Sequence, residues 1–304
     1  MRTKIGEHEI ITVSLLASLF REEWFIPDGS IVDAGAQFGE QAAYYADLAP
    51  DRTVYAIDPS PSNIAKIKET HGHLPNLKIM EAGLGQEVGV RAAPSNAGFN
   101  MADGATFRVE TLDSLFYNKG ERLGFAHLDL EGLELDVLKG GIKTFNTYQP
   151  VFTAEVQVHK DKKFTAALLT FIDDLGYDSY VIDEVCGYPQ VDYRNLLNIP
   201  RPMSRHLSFS DAWQLALASE AIFRVTATTI ATEVYPCCAL GGECCPVAGK
   251  DCCTEKIVGE WLKDNKVYRP SAMLNFRGAR RQTIKRWFRA RSRSDKVEPG
   301  TRRQ

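Results

Sequence analysis

Asp33, Gly35 and Gly39 are spaced D-x-G-x-x-x-G, and Asp58 follows nineteen residues after Gly39. Those residue types at those intervals suit a nucleoside-bearing ligand. Glycine takes backbone angles closed to other residues and lets a ligand approach the main chain. A helix beginning after the turn offers free N–H groups and a positive dipole end, which suit a carboxylate or phosphate. An acid at the position of Asp58 can accept both hydroxyls of a ribose. Only Gly35 and Gly39 fall in the turn, so the dinucleotide pattern G-x-G-x-x-G is absent, which speaks against a nicotinamide oxidoreductase. The plainer alternative is a structural βαβ unit in which Asp33 caps the turn and Asp58 is a solvated acid.

A second set is His127, Asp129 and Glu131, which alternate with Leu128 and Leu130. On an extended strand they share one side. Three titratable groups on one side of a buried strand are costly unless paired, which motivates a catalytic reading. Asp129 or His127 is then the general base, or positions it. The structural alternative is that Asp129 and Glu131 cap the following helix. Glu155 and His159 leave the next strand at the same rim, either to meet an acceptor or as ordinary surface groups.

The elements that must position these residues read as alternating strands and helices. Ile31 and Val32 close a first strand, and the turn of Asp33, Gly35 and Gly39 leads to a helix at Glu40 to Leu48. Thr53 to Ile57 is a second strand with Asp58 at its carboxyl end. Ser62 to Glu69 is helical, and Asn76 to Glu81 is a third strand. The small-residue turn Ala82-Gly83-Leu84-Gly85 follows, where an adenine ring can lie against Gly83 and Leu84. Gln86 to Gly104 forms a hairpin or mobile loop. Phe125 to Leu130 is a strand, Leu133 to Lys139 a helix and Pro150 to Val156 a strand. Phe164 to Leu175 is a helix closed by Gly176, and Tyr177 to Ile182 a strand. Before them, Glu9 to Trp24 is amphipathic at helical spacing and packs on the sheet or lids the site. The alternation predicts an α/β fold with a mainly parallel sheet and helices on both faces.

The turn D-A-G-A-Q-F-G (33–39), the pair Leu112-Asp113 and the run H-L-D-L-E-G-L-E-L-D-V-L-K-G (127–140) together resemble the FkbM family of methyltransferases. Asp129, Glu131, Gly132, Glu134, Val137, Leu138 and Gly140 match that family's run K-x-D-x-E-G-x-E-x-x-V-L-x-G. The resemblance covers Ser30 to Tyr180. It implies a class I methyltransferase fold, Rossmann-like, with a seven-stranded sheet whose last strand is antiparallel. It implies S-adenosyl-L-methionine as methyl donor and a hydroxyl acceptor on a sugar or small natural product. Asp33, Gly35, Ala36, Gly39, Asp58, Gly83 and Leu84 are then the cofactor-binding residues, with Asp33 orienting the methionine amine or the turn itself. His127 stands where many members have Lys, which replaces a permanent cation with a group titrating near neutrality.

The chain has 304 residues, 44% hydrophobic and 25% charged, ordinary values for a globular protein. No run approaches the roughly 20 apolar residues of a membrane helix. Met1 to Phe20 has no signal-peptide pattern, and the reading is a cytoplasmic protein. The expected organisation is an N-terminal helix (1–29), the methyltransferase domain (30–209), a cysteine-rich extension (210–276) and a basic tail (277–304). Six of seven cysteines form three Cys-Cys pairs between Cys237 and Cys253. They read as a metal-bound or disulfide-stapled knob or as a loop; C-x-x-C and His are absent there, so no metal site is assigned. The tail carries eleven Lys or Arg against two acids, a local charge of +9 in a chain of net −3. It is a solvated tail, or binds an anionic surface or nucleic acid. A non-catalytic member of the fold that binds a partner through this tail is the rival to an enzyme.

Overall fold

The computed structural model describes residues 10–22, 24–93, 101, 104–157, 162–182, 193–218 and 221–227. Helix α1 (Ile10–Phe20) precedes β1 (Ser30–Ala34), α2 (Glu40–Leu48), β2 (Val54–Asp58), α3 (Pro61–His71) and β3 (Leu77–Glu81). A small sheet follows, made of β4 (Gly83–Leu84), β5 (Gly89–Ala92) and β6 (Thr106–Glu110). Next come α4 (Leu112–Leu115), β7 (Leu123–Leu128), α5 (Glu134–Lys139) and α6 (Ile142–Tyr148). Then come β8 (Val151–Gln157), α7 (Lys162–Asp174) and β9 (Tyr177–Ile182). The last described elements are β10 (Tyr193–Pro200), α8 (Arg201–Ser204), α9 (Asp211–Ala218) and β11 (Ile222–Val225).

The main sheet runs β11-β9-β10-β8-β7-β1-β2-β3. Strands β3, β2, β1, β7 and β8 are parallel, and β10 is antiparallel to both β8 and β9. The reversed strand between β8 and β9 is the antiparallel one expected of the class I methyltransferase fold. The expected strand number is corrected from seven to eight. Ile222 and Val225 are buried, and their strand β11 pairs antiparallel with β9 at the edge.

Central strands covered on both faces are apolar on both faces. Along β1, Val32 points into one core with Leu128, Phe145 and Leu168, and Ile31 into the other with Leu15, Tyr45 and Trp213. Helix α1 packs against the sheet, not over the carboxyl ends of the strands. Its Leu15, Leu16 and Leu19 are buried, and Phe20 meets the Phe125 ring edge-on at 5.1 Å. Trp213 of α9 joins the same core, so the folded body continues past residue 209.

Three local devices shape the site. Ser60 caps α3, its hydroxyl accepting from the Asn63 N–H, with Pro61 at the first helical position. Thr111 and Ser114 cap α4 reciprocally. Asp113 accepts the N–H groups of Lys143 (3.2 Å) and Thr144 (2.8 Å), so the Leu112-Asp113 motif anchors the first turn of α6. The stretch Gln86 to Gly104, expected as a hairpin or mobile loop, contains β5, which pairs antiparallel with β6 beyond it. Among the described residues no helix is long and apolar enough to cross a membrane, and no three His, Cys, Asp or Glu are grouped to hold a metal ion. His159, the cysteine pairs, Cys186 and the basic tail lie outside the described residues.

Candidate active site

The glycine turn leaves β1 with three positive φ angles: Gly35 at 82°, Gln37 at 46° and Gly39 at 83°. The N–H groups of Gly35 and Ala36 both donate to the Ile57 carbonyl, tying the turn to β2. A Cβ on Gly35 would stand 1.8 Å from the Asp129 carbonyl oxygen. The close approach at Gly35 is therefore first to the neighbouring strand's chain, and Gly35 lines the cleft as well. Gly39 starts α2 and faces Ile67 and His71 of α3, away from the cleft lining. Ala36 is also absent from the lining, its side chain buried. Asp33 is buried within β1, opposite Ala56 and His127 of the adjacent strands.

Asp58, the last residue of β2, ties two loops together. Its Oδ2 accepts the Gln37 N–H (2.9 Å), and Oδ1 accepts the Ser60 N–H (2.8 Å) and the Asn63 amide (3.0 Å). Burial raises its pKa and the three donors partly offset this. A carboxylate has about four acceptor positions. Three are taken, so one ligand hydroxyl can be received directly, on Oδ2, in place of the two expected.

Around these groups lies a half-open cleft of about 710 Å³, the open solvent at its mouth included. It stands at the carboxyl ends of β1, β2 and β7, where open α/β sheets bind ligands. One end is formed by Asp58, Pro59, Asn63, Gly83, Leu84 and Phe107. Gly83 lies flat against the Phe107 ring, where a Cβ would meet the ring at 2.5 Å. The other end is formed by Asp129, Leu130, Glu131 and Leu133. The described lining holds three acids and no Lys, Arg or His. Gln37, Asn63, Phe107 and Leu133 were not expected from the sequence. Phe107 carried a usable signal, because in T-F-R-V-E it alternates with Val109 on the buried face of β6.

The second set divides. Strand β7 ends at Leu128, two residues earlier than expected, although the Asp129 N–H still donates to Ala34 O at 3.0 Å. The chain then turns through Glu131 (φ 53°) and Gly132 (φ 98°). This puts Asp129 and Glu131 on the cleft. Glu134 secures the turn, its Oε1 accepting the N–H groups of Leu130 (2.8 Å) and Gly132 (3.3 Å). Its Oε2 is buried with no hydrogen-bond partner among the described residues, and burial pushes the pKa up to about 7. Glu134 thus holds the turn from within α5.

His127 is corrected as a cleft residue. It stays within β7, buried beside Tyr45, with Nδ1 hydrogen-bonded to Thr153 Oγ1 at 2.7 Å. Burial lowers its pKa to about 4, so the imidazole is neutral and weakly basic. Glu155 is brought to the site from β8. It is hydrogen-bonded to Asp129, and its pKa is driven well above the carboxylate range by burial and then by the Asp129 charge.

The sheet order, the glycine turn and the cleft at the strand ends define a class I methyltransferase fold. Residues 33–179 match the family model described as "Methyltransferase FkbM domain". No curated protein sequence matches the chain. Among solved structures, a methyltransferase FkbM from Methylobacillus flagellatus KT is 18% identical with a TM-score of 0.41, over 56% of this chain and 43% of that one. The chain therefore spans less than half the length of that neighbour. An rRNA methylase from Streptococcus thermophilus is 14% identical with a TM-score of 0.40, over 64% and 98%. Magnesium protoporphyrin IX methyltransferase from Synechocystis PCC 6803, with bound SAM, is 13% identical with a TM-score of 0.39, over 66% and 88%.

Proposed function

We propose that the chain is a cytoplasmic S-adenosylmethionine-dependent methyltransferase acting on a hydroxyl of a sugar or small natural product. The carrying observation is the convergence of Gly35, Asp58 and Asp129 on one cleft at the carboxyl ends of the parallel strands. When bound, S-adenosylmethionine supplies an electrophilic methyl group on a sulfonium. The residues present suit it. Asp58 Oδ2 takes a ribose hydroxyl, and Phe107 with Gly83 and Leu84 forms an apolar slot for an adenine ring. The exposed turn at Gly35 and Gln37 admits the ligand close to the main chain.

Asp129 is the base. Its carboxylate is at the cleft surface and can receive the proton of an attacking hydroxyl, the work general-base catalysis requires. Glu131 adds negative charge at the same end and matches a cationic donor group. His127 is neutral and buried, so of the two residues considered for the base, Asp129 or His127, the reading takes Asp129.

Calorimetric titration with S-adenosylhomocysteine, on the wild type and on Asp58→Ala, tests the cofactor. Binding by the wild type that is lost in the variant supports the reading. A folded wild type that does not bind S-adenosylhomocysteine overturns it.

A further inference from the structure

The ends of β7 and β8 bring two acids together at the edge of the cleft. Leu128, the last residue of β7, pairs with Ala154 of β8 in the parallel register, so Asp129, one residue past β7, adjoins Glu155 of β8. A side-chain hydrogen bond joins them. Two ionised carboxylates have no proton to make such a bond, so one member is protonated. Asp129 lines the cleft, and Glu155 does not. Glu155 is partly buried and faces the charges of Asp129, Glu131 and Glu134.

Among the described residues, the elements around Glu155 bring it no cation. On β7 the neighbouring His127 is neutral. On β10 the partner of Glu155 is Asn195. Arg194 is paired with Val156, and strand alternation directs it to the opposite face.

We propose that Glu155 is a positioning residue: it keeps a proton, donates it in a hydrogen bond to the Asp129 carboxylate, and so holds that carboxylate charged and oriented toward the acceptor. The proposal rests on the methyltransferase reading above. At neutral pH the pair carries one proton and one negative charge. An acceptor hydroxyl that gives its proton to Asp129 leaves the pair with two protons and no charge, and one proton returns to solvent after product leaves. Holding the base in one geometry removes an orientational cost from the reaction. A residue that acts only as a neutral donor is replaceable by an amide, whereas an ionised one is not.

The test is a carbon-13 NMR titration of the side-chain carboxyls in the full chain, with neither cofactor nor acceptor. The expected result is a Glu155 carboxyl that stays protonated throughout the neutral range. In Asp129→Asn its midpoint falls by at least about one pH unit, a tenfold change in proton affinity, because the facing charge is gone. The Asp129 carboxyl signal keeps its position in Glu155→Gln and moves in Glu155→Leu. A Glu155 that ionises at the ordinary glutamate midpoint overturns the proposal, as does an Asp129 signal equally displaced in both Glu155 variants. If the Leu variant does not fold, the wild-type and Asp129→Asn titrations decide alone. Calorimetry with S-adenosylhomocysteine is read separately. Loss of wild-type binding there sinks the methyltransferase reading, whatever the carboxyls do.

Discussion

The α-carbon of Gly35 faces the carbonyl oxygen of Asp129 so closely that a Cβ would stand 1.8 Å from it. The same β1–β7 junction carries the Asp129 N–H bond to Ala34 O. Neither chain can yield without parting the strands that hold the cleft. Gly35→Ala is therefore expected to destabilise the fold by more than about 3 kcal/mol, beyond the range of ordinary substitutions. Gly132→Ala is the control. Its φ is 98° but its Cβ would meet open space, so it carries only the left-handed cost of roughly 1–2 kcal/mol. Urea denaturation of the two variants measures the difference. Equal losses would mean that backbone angle, not the close approach, is what Gly35 supplies.

Asp58 holds the Gln37 loop and the Ser60 loop through three accepted hydrogen bonds. Asparagine there must turn an amide N–H₂ toward at least one donor or toward the ligand. Hydrogen bonds to a charged group contribute about 1.5–3 kcal/mol, so Asp58→Asn is expected to weaken S-adenosylhomocysteine binding by about tenfold or more. Calorimetry reads the change. Affinity equal to the wild type would remove Asp58 from the ribose contact.

Glu134 and His127 make opposite contributions to stability as pH changes. The folded pKa of Glu134 is raised to about 7, so its contribution is fully present below about pH 4.5 and is lost as pH rises through 7. The folded pKa of His127 is lowered to about 4, so its contribution is present above about pH 6.5 and is lost as pH falls toward 4. Between those limits the two slopes oppose each other. Glu134→Gln is expected to leave a protein that loses stability on acidification more steeply than the wild type, and His127→Gln one that loses it less steeply. Urea midpoints across a pH series check both signs.

Phe107 closes one end of the cleft beside Gly83. Base-on-aromatic stacking contributes about 1–3 kcal/mol per base, so Phe107→Ala is expected to weaken S-adenosylhomocysteine binding by about tenfold. Adenosine as the titrant should show the same loss, because the deleted contact is to the base. A variant that binds both ligands normally would place the ring elsewhere.

Much of the architecture was legible in the sequence. The helix at Glu40–Leu48 and the strand at Tyr177–Ile182 have the expected limits, since each is bounded by glycine, proline or a turn and carries its own propensity. Strand β10 was missed because its signal is masked by polarity. Arg194, Asn195 and Asn198 are all buried in it. The amide of Asn198 is satisfied by neighbours far along the chain, accepting from Ser179 Oγ at 2.7 Å and donating to Phe152 O at 3.3 Å. Helix α6 was missed because Gly140-Gly141 reads as a helix end, whereas Asp113, some thirty residues earlier, supplies the cap that starts a new one.

Sequence alone determined what depends on residues close together in the chain: the glycine turn, the acid closing β2, the alternation of strands and helices, and the family resemblance from Ser30 to Tyr180. Tertiary structure decided which of the named residues reach the cleft. His127 and Asp129 are two positions apart, yet the strand ends between them, and one is buried as a neutral ring while the other faces the ligand space. Glu155 meets Asp129 only because β7 and β8 pair in one register. Such contacts join residues far apart in sequence, and strand register, burial and the turn at Glu131 and Gly132 set them only once the whole sheet has formed.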